Sequence, residues 1–238
     1  MLNVDKSPFT WEKLSFPPDS PLPDSRVYHT SALCTTGMAN GMIVIFGGRN
    51  STPTALNDTW GLRRHRDGRW DWVKAPYKNA GEKPISRYQH SSIFVGSMLL
   101  ITGGRSNQAS DIVPMEIYDT ETSDWFKYQA PQRFRHATFF CDNFLFMHGG
   151  FNQDSPNTPT DIIIKLDLSK ILTEEPQLSK YLLLEVSKYD GPTSANSQAK
   201  PAQNQNTRPN PYAGKTNNTI KLVSEAFMAV SGADDDMS

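Results

Sequence analysis

Short apolar runs alternate with polar turn residues along the first 190 residues, and one order of residues recurs three times. The units begin at Arg26, Arg87 and Arg133, and each reads Arg-x-x-His, an apolar run, a turn, a second apolar run and Gly-Gly. Apolar runs of this length, bounded by turn residues, predict β-strands. In the first unit the turn is longer, because TTGMANG adds residues that a surface loop tolerates.

Each unit has a second half that also alternates apolar and polar residues. It reads LNDTWGL and RWDWVKAP in the first unit, MEIYDTETSDWFKYQAP in the second, and DIIIKLDL with KYLLLEVSKY in the third. Four strands in a unit, repeated at this period, are typical of β-propeller blades. The large aromatic side chains are expected to fill the gaps between blades: Trp60, Trp70, Trp72 and Trp125.

These elements, in this order, resemble the kelch repeat family. The pattern is Gly-Gly after an apolar strand, Tyr118-Asp119, Trp125, and then Arg-x-x-His of the next unit, and it covers about residues 10–190. More narrowly, LNDTWGLRRHRDGRWDWVKAP, SRYQHSSIFVG and RFRHATFF resemble the kelch region of kelch-type Ser/Thr protein phosphatases of plants and protists. The resemblance implies an all-β protein, a partial kelch β-propeller of about three four-stranded blades, which binds proteins.

The composition divides the chain into three predicted parts. Residues 1–190 hold the blades, 191–218 form a polar disordered linker, and 219–238 form a short amphipathic C-terminal helix with an acidic tail. Propellers usually carry four to eight blades, so three units cannot close a ring. We therefore expect a fragment of a longer gene product, or else blades supplied by another chain.

The histidines of the three Arg-x-x-His segments are candidates for metal or acid–base chemistry. His29, His90 and His136 occupy one position in different blades, so a propeller would separate them. We predict that they make structural hydrogen bonds with the adjacent arginine or with backbone.

Other candidate chemistry is weak. The AGKT segment at residues 213–216 has Pro209 where a phosphate-binding loop requires glycine. Cys34 and Cys141 adjoin apolar runs and are expected to be small buried residues rather than a disulfide or a copper site of an oxidase. We expect no metal and no cofactor.

The antiparallel order of a blade places the loop before its first strand and the loop after its second strand on one face. We call the residues predicted there for partner binding the mouth: Tyr28, Arg49, Asn50, Gln89, Arg105, Asn107 and Arg135. The same loops carry Arg26, Arg87, Arg133, Phe151 and Asn152. Such a surface is suited to an acidic or phosphorylated peptide held by bidentate arginines. The alternative is that these arginines pair with local carboxylates or are solvated.

Charge and motifs narrow the function further. The formal net charge is −1, which gives no electrostatic footprint for nucleic acid, and no apolar run is long enough for a membrane span. We expect a cytoplasmic or nuclear location.

The chain has no Gly-Asp dipeptide and so none of the metallophosphatase motifs. The leading hypothesis is a non-catalytic interaction scaffold and, more narrowly, the regulatory or targeting part of a Ser/Thr phosphatase. The alternative is a fragment of such a phosphatase without its catalytic domain.

Overall fold

The structure of the protein is a computed structural model that describes residues 2–3, 8, 10–78, 83–108 and 111–169. All of these lie in the first of the chain's two units, Met1–Tyr189. The predicted linker and C-terminal helix lie outside the described residues. The described residues contain no helix that is both long and apolar enough to cross a bilayer.

The described residues form sixteen β-strands. They are β1 (Leu2–Asn3), β2 (Thr10–Trp11), β3 (Thr30–Leu33), β4 (Ile43–Phe46), β5 (Thr59–Arg64), β6 (Trp70–Lys74), β7 (Ser91–Val95), β8 (Met98–Thr102), β9 (Met115–Asp119), β10 (Trp125–Tyr128), β11 (Arg133–Phe134), β12 (Ala137–Cys141), β13 (Phe144–His148), β14 (Phe151–Asn152), β15 (Ser155–Pro159) and β16 (Ile164–Asp167).

Two sheets have the predicted four strands in simple antiparallel order. Strands β3–β6 form the first blade and β7–β10 the second, while β12, β13 and β16 form three strands of the third blade. The segment predicted to complete the third blade, KYLLLEVSKY, lies outside the described residues. The all-β fold and the partial kelch propeller predicted from the sequence are therefore confirmed.

The first and second blades pack face to face over an aromatic cluster. Val44 and Phe46 of β4 meet Leu99 and Ile101 of β8, with Tyr118 and Trp125. The Trp125 ring lies 4.8 Å from Tyr118 and 5.7 Å from Phe46, measured between centroids. Trp125 thus fills the gap between blades as predicted. Trp60 is also buried, whereas Trp70 and Trp72 are half-buried.

The second and third blades share an aliphatic cluster. Met98, Leu100, Met115 and Ile117 of the second blade pack with Leu145 and Leu168. Every residue of β8 is buried, because this strand lies between two neighbouring blades. This explains why its sequence, MLLIT, begins with four apolar residues in succession instead of alternating.

A smaller sheet, β11–β14–β15, lies beside the third blade and was not predicted. It pairs Phe134, which follows the arginine of Arg-x-x-His, with Phe151, which follows Gly-Gly. The other two blades make the same pairing as isolated bridges, Val27 with Arg49 and Tyr88 with Arg105. These pairings fix the loops on which the mouth residues lie.

Candidate functional site

The glycine pair lets each blade approach the next at the mouth. A Cβ on Gly47 would stand 2.6 Å from the carbonyl oxygen of Arg87, and Gly103 faces the carbonyl of Arg133 in the same way. The second glycine of each pair donates its N–H to that same carbonyl, from Gly48 and from Gly104, at 2.8 Å in both cases. The Gly-Gly step is therefore part of the junction between blades.

The arginines that open the repeats are buried and belong to the scaffold. The guanidinium of Arg26 donates to both carboxylate oxygens of Asp58 at 2.6 and 2.9 Å. Arg87 donates to Glu116 at 2.7 Å, with both side chains fully buried. Burial lowers the pKa of Arg87 to about 10. These two arginines pair with local carboxylates, which was the alternative considered for this surface.

The arginine that opens the third repeat donates hydrogen bonds to uncharged groups instead of a carboxylate. Arg133 is buried and donates to the carbonyl of Ile162 at 2.7 Å and to the amide oxygen of Asn152 at 3.1 Å. Burial lowers its pKa. It therefore also fixes its own blade instead of lining the mouth.

The repeat histidines lie at the seams between blades. His90 Nε2 is 2.9 Å from Thr30 Oγ1, and His136 Nε2 is 3.0 Å from Thr102 Oγ1, in each case on the preceding blade. Both Nδ1 atoms lack a hydrogen-bond partner within the described residues, so we assign the proton to Nε2. Their structural role is as predicted. The side-chain partners are threonines, and His90 also has the predicted kind of backbone hydrogen bond, with Phe46.

Burial keeps these two imidazoles neutral. Burial, with the nearby Arg133, lowers the pKa of His136 to about 4. Burial also holds the pKa of His90 well below its usual value. Neutral rings at blade seams are suited to packing and to hydrogen bonds across the seam.

The two cysteines differ. Cys34 is buried as predicted, whereas Cys141 is exposed, so the prediction of a buried Cys141 is wrong. Burial alternates along β12, and Cys141 falls on its exposed set of positions. An apolar neighbourhood in sequence does not distinguish the two faces of a strand.

The mouth arginines that follow Gly-Gly stack on aromatic rings of the next blade. The guanidinium carbon of Arg49 lies 4.7 Å from the centroid of Tyr88, and that of Arg105 lies 4.9 Å from Phe134. Each is a cation–π contact that spans a seam. Within the described residues neither arginine has a carboxylate within 4.0 Å, and the same is true of Arg135.

Three mouth residues share an unusual backbone conformation. Tyr28, Gln89 and Arg135 have φ of 59°, 57° and 55°, in the left-handed region that non-glycine residues rarely occupy. The Gln89 N–H donates to the Tyr28 carbonyl at 3.1 Å, and the Arg135 N–H donates to the Gln89 carbonyl at 2.8 Å. These bonds connect the three blades residue by residue. Strained positions held in this way are frequent at binding sites.

The side chains at these positions differ in access. Tyr28 is 52% exposed and Arg135 is exposed, whereas Gln89 is buried. With its amide oxygen turned toward Arg135, Gln89 accepts from Nε at 2.8 Å and from Nη2 at 2.9 Å. The buried Gln89 side chain therefore fixes the position of the exposed Arg135 guanidinium through these two hydrogen bonds.

The two mouth asparagines make structural contacts. Asn50 Oδ1 accepts from Thr52 Oγ1 and from the Thr54 N–H within its own loop. Asn107 Oδ1 accepts from the Ala55 N–H of the preceding blade at 2.8 Å. The structure thus brings the predicted mouth residues to one set of loops, where only Gln89 among them is buried.

The blade pattern is shared with a known group of proteins. Residues 1–177 match the family model described as the KLHDC2/KLHL20/DRC7 Kelch-repeats domain. The chain belongs to the kelch-repeat family. Domains of this family generally bind other proteins.

One curated relative supports the narrower resemblance. The serine/threonine-protein phosphatase BSL2 of Arabidopsis thaliana is 29% identical over 175 residues, which cover 63% of this chain and 16% of that protein. The chain thus spans less than a fifth of the length of this relative. The predicted resemblance to the kelch region of a Ser/Thr phosphatase is confirmed.

Proposed function

We propose that this kelch domain is a non-catalytic scaffold whose mouth captures an acidic or phosphorylated segment of a partner protein. The observation that carries this proposal is the contrast between two sets of arginines. Arg26 and Arg87 are paired with carboxylates inside their blades. Arg49, Arg105 and Arg135 have no such pair within the described residues.

The unpaired guanidinium groups are held in place by the scaffold. Arg49 and Arg105 stack on rings of the next blade, and Arg135 lies 6.0 Å from the Phe151 centroid while bonded to Gln89. Stacking on a ring face leaves N–H groups of Arg105 available to a ligand. Arg49 already donates one bond to the Pro53 carbonyl at 3.1 Å, and Arg135 donates from Nε and Nη2 to Gln89, so these two arginines would bind with their remaining N–H groups. An arginine fixed in this way loses less side-chain entropy when it binds a carboxylate or phosphate in bidentate geometry.

The experiment measures peptide affinity by fluorescence polarisation. The probes are three degenerate peptide pools of one length, containing phosphoserine, glutamate or serine at the variable centre. We expect tighter binding of the phosphoserine and glutamate pools than of the serine pool. In the double variant Arg105→Gln with Arg135→Gln, Kd should rise about tenfold or more, because charge-assisted hydrogen bonds contribute about 1.5–3 kcal/mol each.

The matched control is Arg66→Gln. Arg66 is an exposed arginine in the loop between β5 and β6, which lies on the opposite face from the mouth. The control should bind all pools as the wild type does. Equal affinity for the three pools, or an equal loss in the control and the double variant, would contradict an anion-binding mouth.

A second proposal concerns the biological setting. Similarity to the kelch region of BSL2 supports a role as the regulatory or targeting part of a Ser/Thr phosphatase. In that setting the mouth would select the substrate or anchor for a catalytic domain of the same gene product. Sequencing the complete transcript tests this, and a full-length product without any metallophosphatase motif would contradict it.

A further inference from the structure

The hairpin that follows the third Gly-Gly pair presents two hydroxyl side chains directly before prolines. Strand β15, Ser155–Pro159, reads SPNTP, and all five of its residues are exposed. It forms the edge of the small β11–β14–β15 sheet. Neither the Ser155 nor the Thr158 hydroxyl is engaged by a hydrogen bond within the described residues.

Pairing of this edge strand is weak enough to allow local detachment. Its partner β14 has only two residues, Phe151 and Asn152, and the register shifts between them. Proline cannot donate to a ladder, and it also holds the residue before it in an extended conformation. A short, exposed strand with a bulge belongs to the least stable part of a domain.

Two other Ser/Thr-Pro steps of the chain, Thr52-Pro53 and Ser20-Pro21, are placed differently from those of β15. At Thr52-Pro53 the Thr52 hydroxyl donates to Asn50 Oδ1 at 2.8 Å, and its carbonyl accepts from Thr54 Oγ1 at 3.0 Å, inside a compact bend. At Ser20-Pro21 the Ser20 N–H closes a turn onto the Pro17 carbonyl. The β15 steps differ from both because their backbone is extended in an exposed strand. They differ from Thr52 also because their hydroxyls make no hydrogen bond within the described residues.

We propose that Ser155 and Thr158 are phosphoacceptors for a proline-directed Ser/Thr kinase, and that their phosphates weaken anion binding at the mouth. In the transfer the hydroxyl oxygen attacks the γ-phosphorus of ATP held by the kinase. The new O–P bond forms as the bond from that phosphorus to the β–γ bridging oxygen breaks. ADP leaves, and the hydroxyl proton passes to the kinase's base.

The weakening of peptide binding rests on the proposed function of the mouth. Its physical reason is that the two phosphoacceptors flank a residue that lines a cavity with Arg105. Pro156, between the two acceptors, lines a cavity of about 120 Å³ together with Arg105, Phe134 and Gln153. Each phosphate adds a charge of about −1.5 to −2. Phosphates beside this cavity would compete with an acidic peptide for Arg105. Asp111, which lines the same cavity, accepts a hydrogen bond from Ser106 Oγ and makes no ion pair with Arg105 within the described residues.

The test treats the purified chain with a cyclin-dependent-class kinase and MgATP and maps phosphate by mass spectrometry. We expect phosphate on Ser155 or Thr158 at several-fold higher stoichiometry than on Thr52. The double variant Pro156→Ala with Pro159→Ala keeps both hydroxyls and should lose this labelling, while Pro53→Ala should not change it. Circular dichroism checks that the variants fold, as expected for exposed positions.

The second arm measures the glutamate peptide pool with the double variant Ser155→Glu, Thr158→Glu and with its Ser155→Gln, Thr158→Gln counterpart. We expect the glutamate variant to bind at least threefold more weakly than the glutamine variant.

Labelling of Thr52 equal to or above that of β15 would overturn the modification site. Labelled β15 with unchanged affinity would overturn the effect on the mouth. A wild-type chain that binds none of the pools would refute the proposed function while leaving the mass-spectrometric result intact.

Discussion

The carbonyl oxygen of Arg87 lies 2.6 Å from the point that a Cβ on Gly47 would occupy. The two residues belong to different blades, and the same carbonyl accepts a hydrogen bond from Gly48 at 2.8 Å. Glycine at position 47 is therefore required by the junction between blades as well as by its own φ of 60°. A larger residue would have to push the second blade away.

Replacement of Gly47 tests this junction. Gly47→Ala should lower the free energy of unfolding by the left-handed backbone cost of about 1–2 kcal/mol, plus about 1–3 kcal/mol for overpacking against Arg87. Gly41→Ala is the matched control, because Gly41 has a φ of 81° but nothing within 4 Å of its Cβ position. Urea titration measures both. Equal losses for the two variants would show that backbone strain alone explains the glycine.

The buried pair of Arg87 and Glu116 gives a second prediction. Glu116→Gln should destabilise the domain by about 3–5 kcal/mol, because it leaves a buried guanidinium without its counter-charge. The control is Asp71→Asn, which breaks the Arg63–Asp71 pair at 2.8 Å, where the arginine side chain is 43% exposed. Exposed pairs contribute about 0–1 kcal/mol. Similar losses in the two variants, by urea titration, would contradict a structural role specific to the buried pair.

His136 predicts a dependence of stability on pH. Its pKa is about 4 in the folded protein, against an ordinary histidine value of 6.5 for the unfolded chain, so the unfolded chain takes up the proton first as pH falls. Stability from this group is complete above about pH 6.5 and is lost progressively between about pH 6.5 and 4. The loss is about 3 kcal/mol, at about 1.4 kcal/mol per pKa unit.

Urea titrations at a series of pH values measure this effect. His136→Gln should reduce the slope of unfolding free energy against pH between about pH 6.5 and 4, although His90 retains its own contribution in the same direction. The control is His65→Gln, because His65 lies beside Asp71 at 3.1 Å and away from the blade seams. A slope that is the same in wild type and His136→Gln would refute the assignment.

The strands and blades were predictable because a local pattern determines them. Apolar runs, turn residues and Gly-Gly recur within each unit, and the antiparallel order then places Arg49, Arg105 and Arg135 on one set of loops. What the sequence did not reveal is which arginines remain available. Arg87 differs from Arg105 because Glu116 meets it from another strand of the blade.

Contacts across seams were also beyond sequence reasoning. Asn107 bonds to Ala55, and Arg49 stacks on Tyr88, through the spacing between blades rather than the spacing along the chain. One feature of the sequence does indicate a buried ion pair. Glu116 stands in the otherwise apolar run MEIY, and a carboxylate in a buried strand requires a buried cation as its partner.

The last prediction concerns catalysis. Metallophosphatases hold two metal ions in a two-metal site, and two carboxylates inside the blades are not available for such a site. The Asp58 carboxylate is bonded to Arg26 and to the Trp60 indole, and Glu116 to Arg87, so both are committed to the scaffold. The purified chain with Mn²⁺ should therefore hydrolyse p-nitrophenyl phosphate no faster than a protein-free blank, as followed by absorbance. A catalytic phosphatase domain serves as the positive control. Turnover above the blank that co-elutes with the chain and disappears on chelation would contradict the proposal of a non-catalytic scaffold.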